Sequence, residues 1–118
     1  MLQVVVNVND MEWQPAEAYP KGTLWKVLRD DHGRKTVLLK LQPGFKMEPH
    51  THTCMEQHFI LEGSYEIDGQ IYAEGTYQLI PPNFTHGPFY SKNGAVLLVA
   101  WDAIPEHEAK VKPEISYE

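Results

Sequence analysis

The sequence is short of the residues on which several protein classes depend. It has one cysteine, Cys54, among 118 residues, so no disulfide forms within the chain. Only 10 lysines and arginines stand against 16 aspartates and glutamates, a formal net charge of -6. That balance argues against a nucleic-acid partner and against an anionic membrane surface, because both need clustered basic residues. No apolar run approaches the roughly 20 residues of a membrane-spanning helix.

These absences together predict a soluble, cytoplasmic protein. The first residues lack the basic start and the full apolar stretch of a signal peptide, and no cysteine pair indicates an oxidising compartment. Hydrophobic residues make up 42% of the chain, which is enough to build a core. No repeat or low-complexity tract interrupts the sequence, so we expect one domain over residues 1–118.

Most of the sequence has the pattern of short β-strands. In residues 36–41, Val37, Leu39 and Leu41 fall on one face by the two-residue period of a strand. The pair Asp68-Gly69, between strand-forming residues, is typical of a two-residue hairpin turn.

Two later segments fit the same pattern. Residues 75–80 stop at two prolines, which cannot donate into a β-ladder. Residues 95–101 are apolar on both faces and suit a buried strand, although an interior helix would give the same run. Short strands separated by glycine and proline predict an all-β sandwich or barrel.

The two ends of the chain carry separate predictions. Residues 105–111 contain the only plausible helix formers, and residues 4–8 are expected to form the first strand. An apolar strand at the edge of a sheet can pair with another chain. We therefore expect a homodimer.

Six histidines in such a small chain are the feature that points to chemistry. His50 and His52 lie on one side of an extended segment, about 7 Å apart along the backbone, and can converge on one ion. Glu56 follows four residues later, and His86 comes after a proline turn. Imidazoles and a carboxylate suit a divalent metal such as Fe, Zn, Mn, Ni or Cu. The alternative is a solvated strand end whose histidines are hydrogen-bonded locally.

The wider spacing resembles the two sequence motifs of the cupins. The first motif covers residues 44–63 and the second covers residues 75–90. The matching positions are Gly44, His50, His52, Glu56 and Gly63 in the first motif, and Gly75, Pro81 and His86 in the second. Asn83 replaces the usual second-motif glycine, a mild change because asparagine tolerates positive φ, and Tyr90 replaces a final asparagine that is not a ligand.

The cupin resemblance implies a fold and a ligand set. The fold is a double-stranded β-helix, a jelly-roll barrel that makes up a single domain. The implied ligands of one divalent metal ion are His50, His52, Glu56 and His86.

Scattered residues also resemble the cupin domain of ChrR and, more distantly, the acetylacetone-cleaving dioxygenases. They are Trp13-x-Pro15, Gly22-Thr23-x-Trp25-x-Val27-Leu28 and Leu41-x-Pro43-Gly44. The zinc-binding N-terminal region of ChrR anti-sigma factors has no counterpart in this sequence. That difference counts against an anti-sigma role.

His58 is the most individual residue near the predicted ligands. Strand parity places it on the face of Glu56, where cupins carry an aliphatic residue. It is a candidate catalytic acid or base, a fifth ligand, or a partner of Glu56. The alternative is a core histidine that a neighbouring polar group satisfies.

Other candidates have more ordinary interpretations. Cys54 could approach the metal, but a lone cysteine is more often a small buried hydrophobe. Two sets of residues could line a pocket or simply pack: Tyr65, Tyr72, Tyr77 and Tyr90, and Phe45, Met47, Phe59, Phe84 and Phe89. Basic residues of the early strands could orient an anionic substrate, although a solvated face is commoner: Lys26, Arg29, Arg34 and Lys40. We assign His32 and His107 to the surface.

Three functions are compatible with these residues. The preferred one is a metal-dependent enzyme on a small molecule, because three imidazoles and one carboxylate leave coordination positions for water, O2 or a chelating substrate. By analogy with the family, we favour oxidative C–C cleavage of a dicarbonyl-like or phenolic substrate, with isomerase or lyase chemistry close behind. The alternatives are a non-catalytic module that senses a ligand or metal, and a barrel that has lost its metal.

Overall fold

The computed structural model describes residues 3–102 and is almost entirely β-structure. It contains one turn of 3-10 helix, Val8–Asp10. The nine strands are β1 (Gln14–Pro15), β2 (Leu24–Asp31), β3 (Arg34–Leu41), β4 (Phe45–Met47), β5 (Met55–Ile67), β6 (Gln70–Ala73), β7 (Tyr77–Ile80), β8 (Phe89–Ser91) and β9 (Ala95–Asp102). The helix predicted for residues 105–111, and His107 within it, lie outside the described residues.

The nine strands form one curled antiparallel sheet. Their order is β1-β2-β3-β9-β5-β8-β4, and β6 and β7 also pair with β5. Strand β5 is the longest, and its first part pairs with β9 and β7 while its last residues pair with β6 and β8. The pairing with β9 has a register shift between Ile60 and Glu62 and ends at Gly63, directly before the part that pairs with β6 begins at Ser64. One strand thus belongs to both walls, which gives the all-β, jelly-roll barrel that the sequence predicts.

The core follows the alternation that the sequence shows. Val37, Leu39 and Leu41 of β3 are buried on one face, as predicted. In β9, every second residue from Ala95 to Val99 is buried against them. Residues 95–101 are therefore a strand and not an interior helix, because they pair with β3 on one side and β5 on the other.

The predicted turns are present. Asp68 and Gly69 have φ of 49° and 82°, which is the left-handed backbone of a tight hairpin turn between β5 and β6. Strand β7 ends at Ile80, directly before the two prolines. Asn83 has a φ of 61°, so it takes the backbone conformation that its motif usually gives to glycine.

The predicted first strand is wrong. Residues 4–7 have no regular structure, Val8 begins the 3-10 turn, and Val4, Val5 and Val6 are between 50% and 78% exposed. Valine favours strands, but a strand needs a partner, and within residues 3–102 no strand pairs with this segment. The homodimer stays a prediction.

None of the helical structure within residues 3–102 is long or apolar enough to cross a membrane. The single 3-10 turn spans only three residues. This agrees with the absence of long apolar runs in the sequence.

Gly63 lies where β5 passes from one wall to the other, and no other residue fits there. Its φ is +77°, and a Cβ atom would overlap the carbonyl oxygen of Gly94 and lie 2.9 Å from Cα of Ala95. Gly69 has a similar φ of +82°, but a Cβ atom there would meet nothing within 4 Å. Substitution of Gly69 therefore tests backbone strain alone, whereas substitution of Gly63 tests backbone strain together with steric overlap.

We expect Gly63→Ala to destabilise the protein far more than Gly69→Ala. The Gly69 change adds only left-handed strain, about 1–2 kcal/mol, whereas the Gly63 change also forces two strands apart and costs at least about 3 kcal/mol in total. Urea unfolding of both variants measures the difference. Equal losses in the free energy of unfolding would contradict the close packing of β5 against the turn before β9.

Candidate metal centre

A pair of backbone hydrogen bonds brings the two predicted motifs together. The amide of His50 donates to the carbonyl of His86, and the amide of His86 donates back to His50, both at 3.0 Å. The amide of Asn83 donates to the carbonyl of His52 at 2.7 Å. The segment after β4 and the segment after β7 are thereby held side by side, with their histidines on a shared face.

His50, His52 and His86 form a compact imidazole cluster. One ring nitrogen from each lies within 4.8 Å of the others. The ring centroids are 4.3 Å apart for His50 and His86, 4.7 Å for His50 and His52, and 5.5 Å for His52 and His86. This spacing suits three nitrogens that share one metal ion, since each Zn–N bond is about 2.0–2.1 Å long.

His86 is a buried histidine without a hydrogen-bond partner among the described residues. It is 4% exposed, and neither ring nitrogen has a hydrogen-bond partner in the described part of the chain. Burial lowers the pKa of His86 to about 4, so the ring is neutral at pH 7 and offers a lone pair. Buried polar atoms almost always have a partner, and a metal ion would supply one here.

His50 is already oriented for ligation. Its Nδ1 lies 3.1 Å from the carbonyl oxygen of Glu48, so Nδ1 carries the proton and donates it. The lone pair is then on Nε2. Metal-binding histidines commonly have this arrangement, with a carbonyl that fixes the ring from the other side.

Glu56 lies beside the cluster and is held by three side chains. It is 3% exposed, and its Oε1 lies 3.1 Å from Nε2 of His52 and accepts a 2.7 Å hydrogen bond from Nε1 of Trp101. Its Oε2 is hydrogen-bonded to Nε2 of His58. Burial raises the pKa of Glu56, but the hydrogen bond from His58 outweighs it, so the pKa stays below the usual value and Glu56 is ionised.

His58 lies behind Glu56, outside the three-histidine cluster. Its Nδ1 is 2.9 Å from the hydroxyl of Tyr65, which in turn donates to Oε1 of Gln78 at 2.6 Å. His58 is 6% exposed and uses both ring nitrogens. This places it between the carboxylate and the core.

The residues present fit a divalent cation. Glu56 is buried and ionised, and the His86 ring is neutral at pH 7 and so offers a lone pair. Nitrogen and carboxylate donors together suit the borderline metals. The arrangement of Glu56 and the three histidines therefore matches a bound ion better than a set of satisfied polar groups.

A cavity of about 540 Å³ opens onto His50 and His52. Its walls are mainly apolar and aromatic, and the side chains that line it include Tyr19, Trp25, Met47 and Trp101. A pocket of this size and character is typical of small-molecule sites. Two residues of the histidine cluster, His50 and His52, therefore border a space that can admit a ligand.

The remaining candidates lie beside the cluster or in the core, and the Phe89 ring lies 5.7 Å from that of His50 and 5.1 Å from that of His86. Burial and the negative charge of Glu56 raise the pKa of Cys54, which keeps the thiol protonated and makes it a poor ligand. Phe45, Phe89 and Tyr65 are buried in the core.

The early basic residues do not line the cavity. Lys26 donates to the carbonyl of Val8 at 2.7 Å, Arg29 pairs with Asp31, Arg34 pairs with Asp102, and Lys40 lies over the Trp13 ring. His32 is on the surface, with 71% of its side chain exposed.

Trp101 and Lys35 are site residues that the sequence did not single out. The sequence feature that could have identified both residues is the alternation of inward-facing and outward-facing positions along their strands. Trp101 has the inward parity of Leu97 and Val99, and Lys35 has that of Val37 and Leu39. A polar end on an inward-facing residue near the mouth of a barrel indicates a role in the cavity, but this pattern is evident only once the register is known.

The comparisons with known proteins agree with this geometry. Residues 1–105 match the family model of the ChrR cupin-like domain. An RmlC-like cupin from Shewanella frigidimarina superposes with a TM-score of 0.71 at 19% identity, over 87% of this chain and 93% of that chain. An acetylacetone dioxygenase from Acinetobacter johnsonii gives 0.70 at 16% identity, over 91% and 80%.

A third structure is the complex of SigE with the anti-sigma ChrR from Rhodobacter sphaeroides. It gives a TM-score of 0.65 at 17% identity, over 81% of this chain and 52% of the matched chain. At these identities the three structures share the fold with this protein. No curated protein sequence gives a significant match. With its barrel fold and a family match over residues 1–105, the chain belongs to the family of ChrR cupin-like domains.

Proposed function

We propose that this protein is a metal-dependent enzyme that acts on a small organic molecule. His50, His52, His86 and Glu56 would hold one divalent ion. The observation that carries the proposal is the buried His86 ring, whose two nitrogens lack partners while it lies within reach of two further imidazoles. Such a group is costly to bury unless it binds something.

The protein's own residues would prepare the site before any ligand arrives. The carbonyl of Glu48 orients His50, while Trp101 and His58 fix the two oxygens of Glu56. A bound divalent ion would polarise a carbonyl or enolate oxygen, and a redox-active ion would also activate dioxygen. The aromatic walls of the cavity would limit access of water to that point.

Oxidative C–C cleavage of a dicarbonyl-like or phenolic compound is the preferred reaction. The fold shared with the Acinetobacter johnsonii acetylacetone dioxygenase supports it by analogy. Isomerase or lyase chemistry at the same ion would use the same residues. The cavity beside His50 and His52 favours a catalytic site over an empty barrel.

A sensing module is the second candidate. The family match to the ChrR cupin-like domain favours it. In that role the same residues would bind a metal or ligand without turnover, and a partner protein would respond. Turnover distinguishes the two functions.

We expect purified protein to contain about one divalent ion per chain, and His50→Ala and His86→Ala to contain almost none. The reason is that each change removes one nitrogen of the cluster. Elemental analysis measures the metal, and circular dichroism checks the fold. His32→Asn is the control, because His32 is a surface histidine with a φ of 52° that asparagine tolerates.

The alternative outcome is equally clear. Metal retained at wild-type levels in both cluster variants would place the ion elsewhere. A wild-type protein that holds no metal, and whose Tm is unchanged by added Zn, Fe, Mn, Ni or Cu, would remove the metal centre.

We expect His58→Val to weaken metal binding by about 10–100-fold, because Glu56 loses the partner that orients Oε2. His58→Gln can still donate a hydrogen bond and should recover part of this loss. Competition with a chelator measures the affinity for the metal, and turnover is measured on the metal-loaded variants. Unchanged affinity and turnover in His58→Val would make His58 a core residue only.

We expect the Fe(II)-loaded protein to consume oxygen with at least one member of a panel of β-diketones and phenols. An oxygen electrode follows the reaction, and Fe(II)-treated His86→Ala protein, which should retain almost no metal, serves as the inactive control. No oxygen uptake with any metal would exclude the dioxygenase reaction and leave the isomerase, lyase and sensing alternatives.

A further inference from the structure

Lys35 places a positive charge on the inner face of the barrel. Lys35 is two residues before Val37 and four before Leu39 on the same strand, so it shares the inward face of these two buried residues. Its cross-strand neighbour on β9 is Trp101, and both residues line the cavity that reaches the histidine cluster. Among the described residues 3–102, Lys35 is the only lysine or arginine that lines this cavity.

The ammonium group of Lys35 is held in place but retains capacity to bind. Its Nζ lies 4.1 Å from the centroid of the Trp25 ring, a cation–π contact that fixes its position. Its Nζ also lies 3.8 Å from a carboxylate oxygen of Asp30, whose side chain is 66% exposed. That distance is too long for a hydrogen bond. An exposed pair of this kind is weak, so an anion from solution can compete for Lys35.

The walls beside Lys35 suit a flat, apolar body. Trp25 and Tyr19 pack edge to face, with ring centroids 6.3 Å apart, and Trp101 and Met47 complete the lining. Aromatic rings bind planar groups well by offset stacking and edge contacts. A cavity of about 540 Å³ has room for a ligand of one or two rings.

We propose that the substrate is a planar aromatic or conjugated carboxylate whose acid group binds Lys35. This inference rests on the proposed function, because His50 and His52 of the proposed metal site line the same cavity as Lys35.

The proposal predicts a preference for charge that depends on Lys35. The probes are 2-naphthoate and its uncharged isostere 2-naphthamide, titrated into the purified protein by calorimetry. We expect the acid to bind about tenfold more tightly than the amide, the effect of one hydrogen bond to a charged group. In Lys35→Met the preference should disappear, and in Lys35→Arg it should persist.

Two further variants make the test specific. Lys40→Gln removes the same charge from a lysine that lies over Trp13, outside the cavity, and should keep the preference. His86→Ala removes the proposed metal ion and should also keep it, with the fold checked by circular dichroism.

The result that overturns the inference is equal binding of acid and amide to wild-type protein, or a preference that survives in Lys35→Met. A preference lost in His86→Ala but kept in Lys35→Met would mean that the metal recognises the acid. That outcome would reject the role of Lys35 while supporting the metal centre. Conversely, a preference that follows Lys35 in a wild-type protein that takes up no metal would support the role of Lys35 and reject the metal centre.

Discussion

The pair of backbone hydrogen bonds between His50 and His86 is the interaction on which the site depends. It joins two irregular segments that are far apart in the chain and gives three imidazoles a common face. The barrel supplies the frame, since β5 runs through both walls and carries Glu56 and His58 into the interior. Without this bridge the histidines would be separate polar residues on two loops, and no single ion could reach them all.

The interior combines a conventional apolar core with one charged group. Glu56 is buried and ionised, and its two oxygens are bound by side chains from two different strands. Trp101 and His58 satisfy its hydrogen bonds. A divalent ion at the neighbouring histidines would add a favourable charge for this carboxylate. The proposed metal function and the proposed binding of an acid at Lys35 thus concern adjacent parts of one electrostatic arrangement.

Much of the fold was predictable because strand burial has a period of two. Val37, Leu39 and Leu41 pointed inward as expected, and Asp68-Gly69 formed the expected turn. Residues 4–8 were mispredicted because valine content reports strand propensity, whereas a strand also requires an edge to pair with. Lys35 and Trp101 were overlooked for a related reason: their position beside the cavity depends on which strands are neighbours, and this is not a local property of the sequence.

The sequence by itself determined the family, the barrel and the residue types that gather near the predicted metal. Motif spacing is sufficient to indicate the family and the ligand residues, because short strands and fixed turns allow those residues few positions relative to one another. Only the tertiary structure decided what surrounds them. It placed His58 between Glu56 and Tyr65, set Trp101 against the carboxylate and brought Lys35 over Trp25. These contacts join residues distant in the chain, and they arise from strand register and sheet curvature, which no short segment encodes alone.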